Sequence, residues 1–179
     1  MNVLVIGGTR FVGYLVVSRL LARGHRVTIF NRGTLPDPFG ERVERVRGDR
    51  TTLEVEQLKS RRFDATVDFA AYGPRDVETL LAVLGEGVGH YVFVGSGQVY
   101  LVLEDCPRPS RESDYEGPLI PRPTDPADLS QWEYGFGKRG CEDLLVREAG
   151  RVRATRLRLP VIHGERDHYR RLDGYLWRL

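Results

Sequence analysis

The chain has 179 residues, 41% of them apolar, which suits one well-buried core and leaves no room for a second full domain. Its formal net charge is +2 and 25 of its 27 basic residues are arginine, but arginine alternates with acid, as in Glu41-Arg42-Val43-Glu44-Arg45, so the dispersed charge argues against a nucleic-acid-binding stripe. The apolar opening is too short for a membrane span, no charged segment precedes it, and Cys106 and Cys141 lack metal-like spacing, so a cytoplasmic protein with two free thiols and no membrane partner is expected.

Short runs rich in Val and Ile alternate with amphipathic stretches, the pattern of a parallel sheet covered by helices on both faces. Strands are predicted at 2–6, 26–30, 43–46, 65–69, 90–95 and 153–157, with helices at 11–23, 51–60, 74–84 and 132–149. Val12, Leu15, Val16 and Leu20 recur at helical spacing in the first helix, Gly24 suits its C-terminal end, and Pro74 suits a first helical turn. Between 102 and 130 lies a stretch dense in Pro, Asp, Glu and Arg, far longer than an ordinary connection and therefore functional or mobile. His163 and His168 are not spaced as a zinc pair, and no metal is expected.

The first strand runs into Gly7-Gly8-Thr9-Arg10-Phe11-Val12-Gly13, a turn that opens the first helix. Gly7 and Gly13 bracket it, and their missing side chains let the backbone approach a pyrophosphate at the positive helix end. Enzymes that use NAD usually carry a carboxylate at the end of the second strand to hold the ribose hydroxyls, whereas Asn31 and Arg32 stand there. A guanidinium binds a ribose 2′-phosphate that a carboxylate would repel, so NADP is favoured over NAD, with Arg10 placed to close on the same phosphate.

Tyr134 and Lys138 stand at i and i+4, on one face of the last predicted helix, where an ammonium can lower a phenol's pKa toward neutrality. Ser96, between Gly95 and Gly97, ends the fifth strand, where open α/β sheets bind ligands. Together the three form a candidate catalytic group.

These motifs resemble the extended, epimerase/dehydratase-like branch of the short-chain dehydrogenase/reductase superfamily, in its Gly-Gly-Thr-Arg-Phe subgroup. Phe30-Asn31-Arg32-Gly33 is similar to that subgroup's strand-end motif, and Gly48-Asp49 to the pair whose aspartate meets adenine. Asp68-Phe69-Ala70-Ala71 resembles the stretch under the cofactor, and Arg158 to Gly164 the lining of the substrate cleft. The resemblance implies a Rossmann fold and a cofactor site drawn from Gly7, Thr9, Arg10, Phe11, Val12, Gly13, Asn31, Arg32, Asp49, Phe69, Ala70, Ala71 and Lys138. It also implies a mechanism: Tyr134 exchanges a proton with a substrate hydroxyl while hydride moves to or from the nicotinamide, Ser96 orients the substrate, and Lys138 binds the ribose and holds down the tyrosine's pKa. Substrates of this branch are often nucleotide-linked sugars or other hydroxyl and carbonyl compounds, and the helices at 74–84 and 132–149 form its usual homodimer face.

Members of the branch normally continue into a small C-terminal domain, while this chain stops at Tyr175-Leu176-Trp177-Arg178-Leu179 without a helix stop signal. A truncated form holding the cofactor half is therefore expected. Two other readings stand beside an oxidoreductase or epimerase: a nucleotide-binding module without turnover, and an RNA-binding protein of the same fold, as one plastid subgroup is.

Overall fold

A computed structural model of the protein describes residues 1–178, so Leu179 of the expected interrupted ending lies outside the described residues. Six parallel strands form one sheet in the order β3-β2-β1-β4-β5-β6: β1 Asn2–Ile6, β2 Arg26–Asn31, β3 Glu44–Arg47, β4 Ala65–Asp68, β5 His90–Ser96 and β6 Ala154–Leu159. Helices α1 (Phe11–Ala22), α2 (Pro74–Leu84) and α3 (Pro126–Arg147) cross between them, and a short α4 (Arg171–Leu176) follows β6. None of the described helices is long and apolar enough to cross a membrane.

The centre of the sheet explains the order. β1 is aliphatic at every position after Asn2, and each of those four side chains is buried, contributing ~1.5–3 kcal/mol apiece. Alternation splits them between two cores. Val3 and Val5 pack with Val17 of α1 and with Val27 and Ile29 of β2, while Leu4 and Ile6 face Val77, Leu80 and Leu81 of α2 and Cys141 and Leu145 of α3. Cys141 is a free thiol whose pKa burial pushes up to about 12, which keeps it an inert core residue.

The expected strands are all present, shifted at their ends by one or two residues. Two other expectations need correction. Residues 51–60 do not form an α-helix but a tight 3₁₀ turn, Leu53–Leu58, begun by the Thr52 hydroxyl accepting the Glu54 N–H. The last long helix starts six residues before 132, because the Asp125 carboxylate accepts the N–H groups of Ala127 and Asp128 and Pro126 fits the first turn. The helix expected at 11–23 is present as α1, where Gly13 and Val17 are fully buried and Val12, Leu15, Val16 and Leu20 line a shallow groove of about 240 Å³ with Arg19 and Arg23.

The long 102–130 stretch carries a small core of its own. Val99, Tyr100, Leu103 and Tyr115 are buried together, with Cys106 and Leu119 against them. Tyr115 is clasped between two guanidiniums, Arg139 at 3.9 Å and Arg158 at 4.2 Å from its ring centroid, and its hydroxyl donates to Asp143 at 2.7 Å. Its pKa is raised, first by burial and then by that hydrogen bond.

Candidate functional site

Strand order reverses between β1 and β4, and the carboxyl ends of parallel strands at such a point form a natural ligand crevice. Gly7 follows β1 at φ +91° and donates its N–H to the Phe30 carbonyl at 2.9 Å, and Gly8 follows at φ +81°. A Cβ on Gly13 would lie 2.8 Å from the Gly8 Cα, so only glycine lets the first turn of α1 press against the loop. That helix end has no side-chain cap and no acidic residue in its first turn, leaving its amides and dipole unmet by the protein. A pyrophosphate fits this cradle. Thr9 and Val12 are partly buried around it, Phe11 takes φ +41°, and Arg10 is exposed at the N-cap.

At the end of β2, Asn31 is occupied by the fold. Its side-chain amide donates to the Gly7 carbonyl at 3.3 Å, and its oxygen accepts the Gly33 N–H at 3.0 Å and a guanidinium N–H of Arg47. It therefore acts first as a strut between the glycine turn and the next strand. Arg32 is exposed beside it. Asp49 follows β3, and one carboxylate oxygen accepts both the N–H (2.9 Å) and the hydroxyl (2.7 Å) of Thr51. Those bonds hold its pKa below the ordinary value, with smaller pulls from Arg32 and Arg50.

Beyond β4, Phe69 borders the glycine turn, its Cβ 3.5 Å from where a Gly7 Cβ would stand. Ala70 donates its N–H to Asp68 at 2.8 Å. The Ala71 methyl is 0% exposed and packs into the core, so that residue could border a ligand through its backbone alone.

Ser96, Tyr134 and Lys138 are brought together between β5 and α3. Ser96 ends β5 and accepts the Gln98 N–H at 3.2 Å. Lys138 is 2% exposed, donates to the Val94 carbonyl at 3.0 Å, and lies 5.1, 5.0 and 5.7 Å from the ring centroids of Tyr72, Phe93 and Tyr134. A Cβ on Gly137 would sit 2.1 Å from the Tyr72 carbonyl oxygen, so this glycine is what lets α3 reach the loop after β4. Tyr134 is 38% exposed.

The expected lowering of the tyrosine's pKa is absent in this arrangement. Burial raises the Tyr134 phenol above its ordinary value, the Ser96 hydroxyl opposes that, and Tyr72 adds to the rise. Lys138 exerts no comparable pull because its ammonium is turned toward Val94, and burial lowers its own pKa.

Sequence reasoning missed the buried polar groups behind these residues. Arg50 is 8% exposed and forms a two-pronged pair with Asp68 at 3.0 and 2.9 Å; Asp68 also accepts the Tyr91 hydroxyl at 2.6 Å. Glu142, 0% exposed, pairs with Arg158 at 2.8 Å, and Arg158 also donates to the Tyr100 hydroxyl at 2.6 Å. Nothing in the spacing of twenty-five arginines marks these two. Asp76 carried a signal: it stands three residues after Gly73 at a helix start, and its carboxylate accepts the N–H groups of Tyr72 and Gly73.

Sheet order and glycine cradle define a Rossmann-type α/β domain with a crevice that fits a dinucleotide, and Ser96, Tyr134 and Lys138 meet between β5 and α3. Residues 3–80 match the NAD dependent epimerase/dehydratase family. A chloroplast stem-loop binding protein of 41 kDa from Arabidopsis thaliana is 28% identical over 121 residues, spanning 59% of this chain and 32% of the relative. The UDP-glucose 4-epimerase of Thermotoga maritima is 22% identical with a TM-score of 0.70, covering 93% of this chain and 57% of its own. The structure of MoeE5 with UDP-glucose and NAD is 25% identical with a TM-score of 0.68, covering all of this chain and 60% of its own. The chain thus spans about a third of that curated relative and under two thirds of these two structures.

Proposed function

We propose that the domain binds NADP(H) in preference to NAD(H) and presents Ser96, Tyr134 and Lys138 to a hydroxyl or carbonyl substrate, as part of an oxidoreductase, epimerase or dehydratase. The observation that carries this reading is the meeting of Ser96, Tyr134 and Lys138 beside a glycine cradle that fits a pyrophosphate. The amides of α1 would hold the pyrophosphate, and the backbone of Phe69 and Ala70 would border the cofactor. Asp49 would take the adenine and Lys138 the nicotinamide ribose. The cofactor, when bound, supplies or accepts hydride. Tyr134 moves the proton at the substrate oxygen, and its raised pKa keeps the phenol protonated, ready to donate, at neutral pH. Ser96 hydrogen-bonds the same oxygen. Nucleotide-linked sugars are the substrate class favoured by the likeness to the UDP-glucose 4-epimerase and to MoeE5 with UDP-glucose.

The preference for NADP rests on Arg10 and Arg32, exposed around a β2 end that carries no carboxylate. Titration of wild type and Arg32→Ala with NADPH and NADH tests it. Arg32→Ala should weaken NADPH about tenfold, ~1.4 kcal/mol, and leave NADH unchanged. Tighter NADH binding in the wild type, or an indifferent substitution, refutes the preference.

A second reading, RNA binding by the same fold, is favoured by the likeness to the chloroplast stem-loop binding protein. Its test is a gel shift with stem-loop RNA that weakens steeply as salt rises.

A further inference from the structure

Among the described residues the Arg50 Nε is the only buried side-chain nitrogen or oxygen without a hydrogen-bond partner, on a side chain otherwise fully committed. Arg50 sits one residue past Asp49 in the loop after β3, yet its guanidinium reaches across to two other segments of the site. It holds both oxygens of Asp68 at the carboxyl end of β4, and it donates to the Asp76 carbonyl at 2.6 Å in the first turn of α2. The Asp76 carboxylate lies 3.9 Å from the unpartnered Nε while accepting the N–H groups of Tyr72 and Gly73. Asp68 in turn fixes Ala70 and accepts from Tyr91.

We infer that Arg50 is a positioning residue for the cofactor site: by pinning the loop after β3 to the end of β4 and the start of α2, it sets where Asp49 meets the adenosine half of the dinucleotide. The inference rests on the proposed cofactor reading and adds a residue to it.

The geometry favours positioning over simple structural support. A buried pair that serves stability alone needs no particular neighbour, and well-packed apolar groups often replace one without loss. Here the backbone on the N-terminal side of Arg50 carries a carboxylate with one oxygen taken by Thr51 and the other without a hydrogen bond among the described residues. Every segment the guanidinium touches borders the proposed crevice. Arg50 draws the loop inward while the Asp49 side chain stays at the surface, so a shift of the guanidinium moves Asp49 with it.

The test is a double-mutant cycle on the full chain, read by calorimetric titration with whichever of NADPH and NADH the wild type binds more tightly. Arg50→Lys keeps the charge and loses the two-pronged geometry. It should weaken the dinucleotide about tenfold, and this loss should vanish when Asp49→Ala is already present, because both changes remove the same contact. Full additivity with Asp49→Ala overturns the inference, as does unchanged affinity accompanied by a lower melting temperature. Should Arg50→Lys fail to fold, the neutral pair Arg50→Gln with Asp68→Asn carries the same cycle. A wild type that binds neither dinucleotide refutes the cofactor reading itself, and the role given to Arg50 falls with it.

Discussion

The two halves of the sheet are built by different means. Around β1 and β2 the site is backbone: two glycines at positive φ, one glycine pressed against another, and an uncapped helix end. Around β5, β6 and α3 it is side chain: Glu142 paired with Arg158, Arg139 and Arg158 on either face of Tyr115, and Lys138 bonded to a strand carbonyl. Backbone sites tolerate nothing larger than hydrogen where they close. Side-chain sites depend on each partner keeping its charge matched in a region water hardly reaches.

The difference predicts where substitutions fall hardest. Glu142→Ala should have the largest effect, because it leaves the partly buried Arg158 guanidinium, 15% exposed, without its carboxylate, a loss of ~3 kcal/mol at the low end for broken buried pairs. Urea denaturation would show the midpoint drop, and a change below ~1 kcal/mol would mean that the two halves do not differ in this way. Gly13→Ala should cost less in stability, ~1–3 kcal/mol from overpacking against Gly8, while removing most dinucleotide affinity. Comparing its melting temperature with its binding isotherm separates the two losses.

The smallest effect expected is at low pH, at the β2–β3 end. Hydrogen bonds from Arg45 and Arg61 lower the pKa values of Asp37 and Glu44 from ordinary values of 3.8 and 4.5. Both groups bind protons less readily folded than unfolded, so their contribution is complete above those values and is lost as pH falls below them. Melting temperatures followed from pH 6 downward should hold until about pH 4.5 and then decline. A Glu44→Gln, Asp37→Asn double variant should show a shallower decline.

The same contrast governs what could be read from the sequence. The central strands appeared as runs of aliphatic residues because the middle of a parallel sheet is buried on both faces, and the glycine turn appeared because a Cβ is forbidden there at fixed positions. Tyr134 and Lys138 were legible because one helix sets their spacing. The 3₁₀ turn at Leu53–Leu58 was not, since its apolar residues fit a helix equally well. The pairings of Arg50 and Arg158 were hidden for another reason: the partners lie 18 and 16 residues away on other elements, and only folding chooses them from so many arginines. Ala71 shows the converse, a residue of a recognisable motif whose side chain turned to the core.

The burial of Lys138 leaves the protein nearly blank to amine chemistry. Of its two lysines, Lys138 is 2% exposed and held by Val94, while the Lys59 side chain is 71% exposed at the far edge of the 3₁₀ turn. An acylating reagent therefore meets one lysine and the terminal amine of Met1, so a dye or a surface tether can be attached without touching the crevice. The second lysine, held by the Val94 carbonyl, reacts far more slowly, and its modification reports on the crevice between β5 and α3.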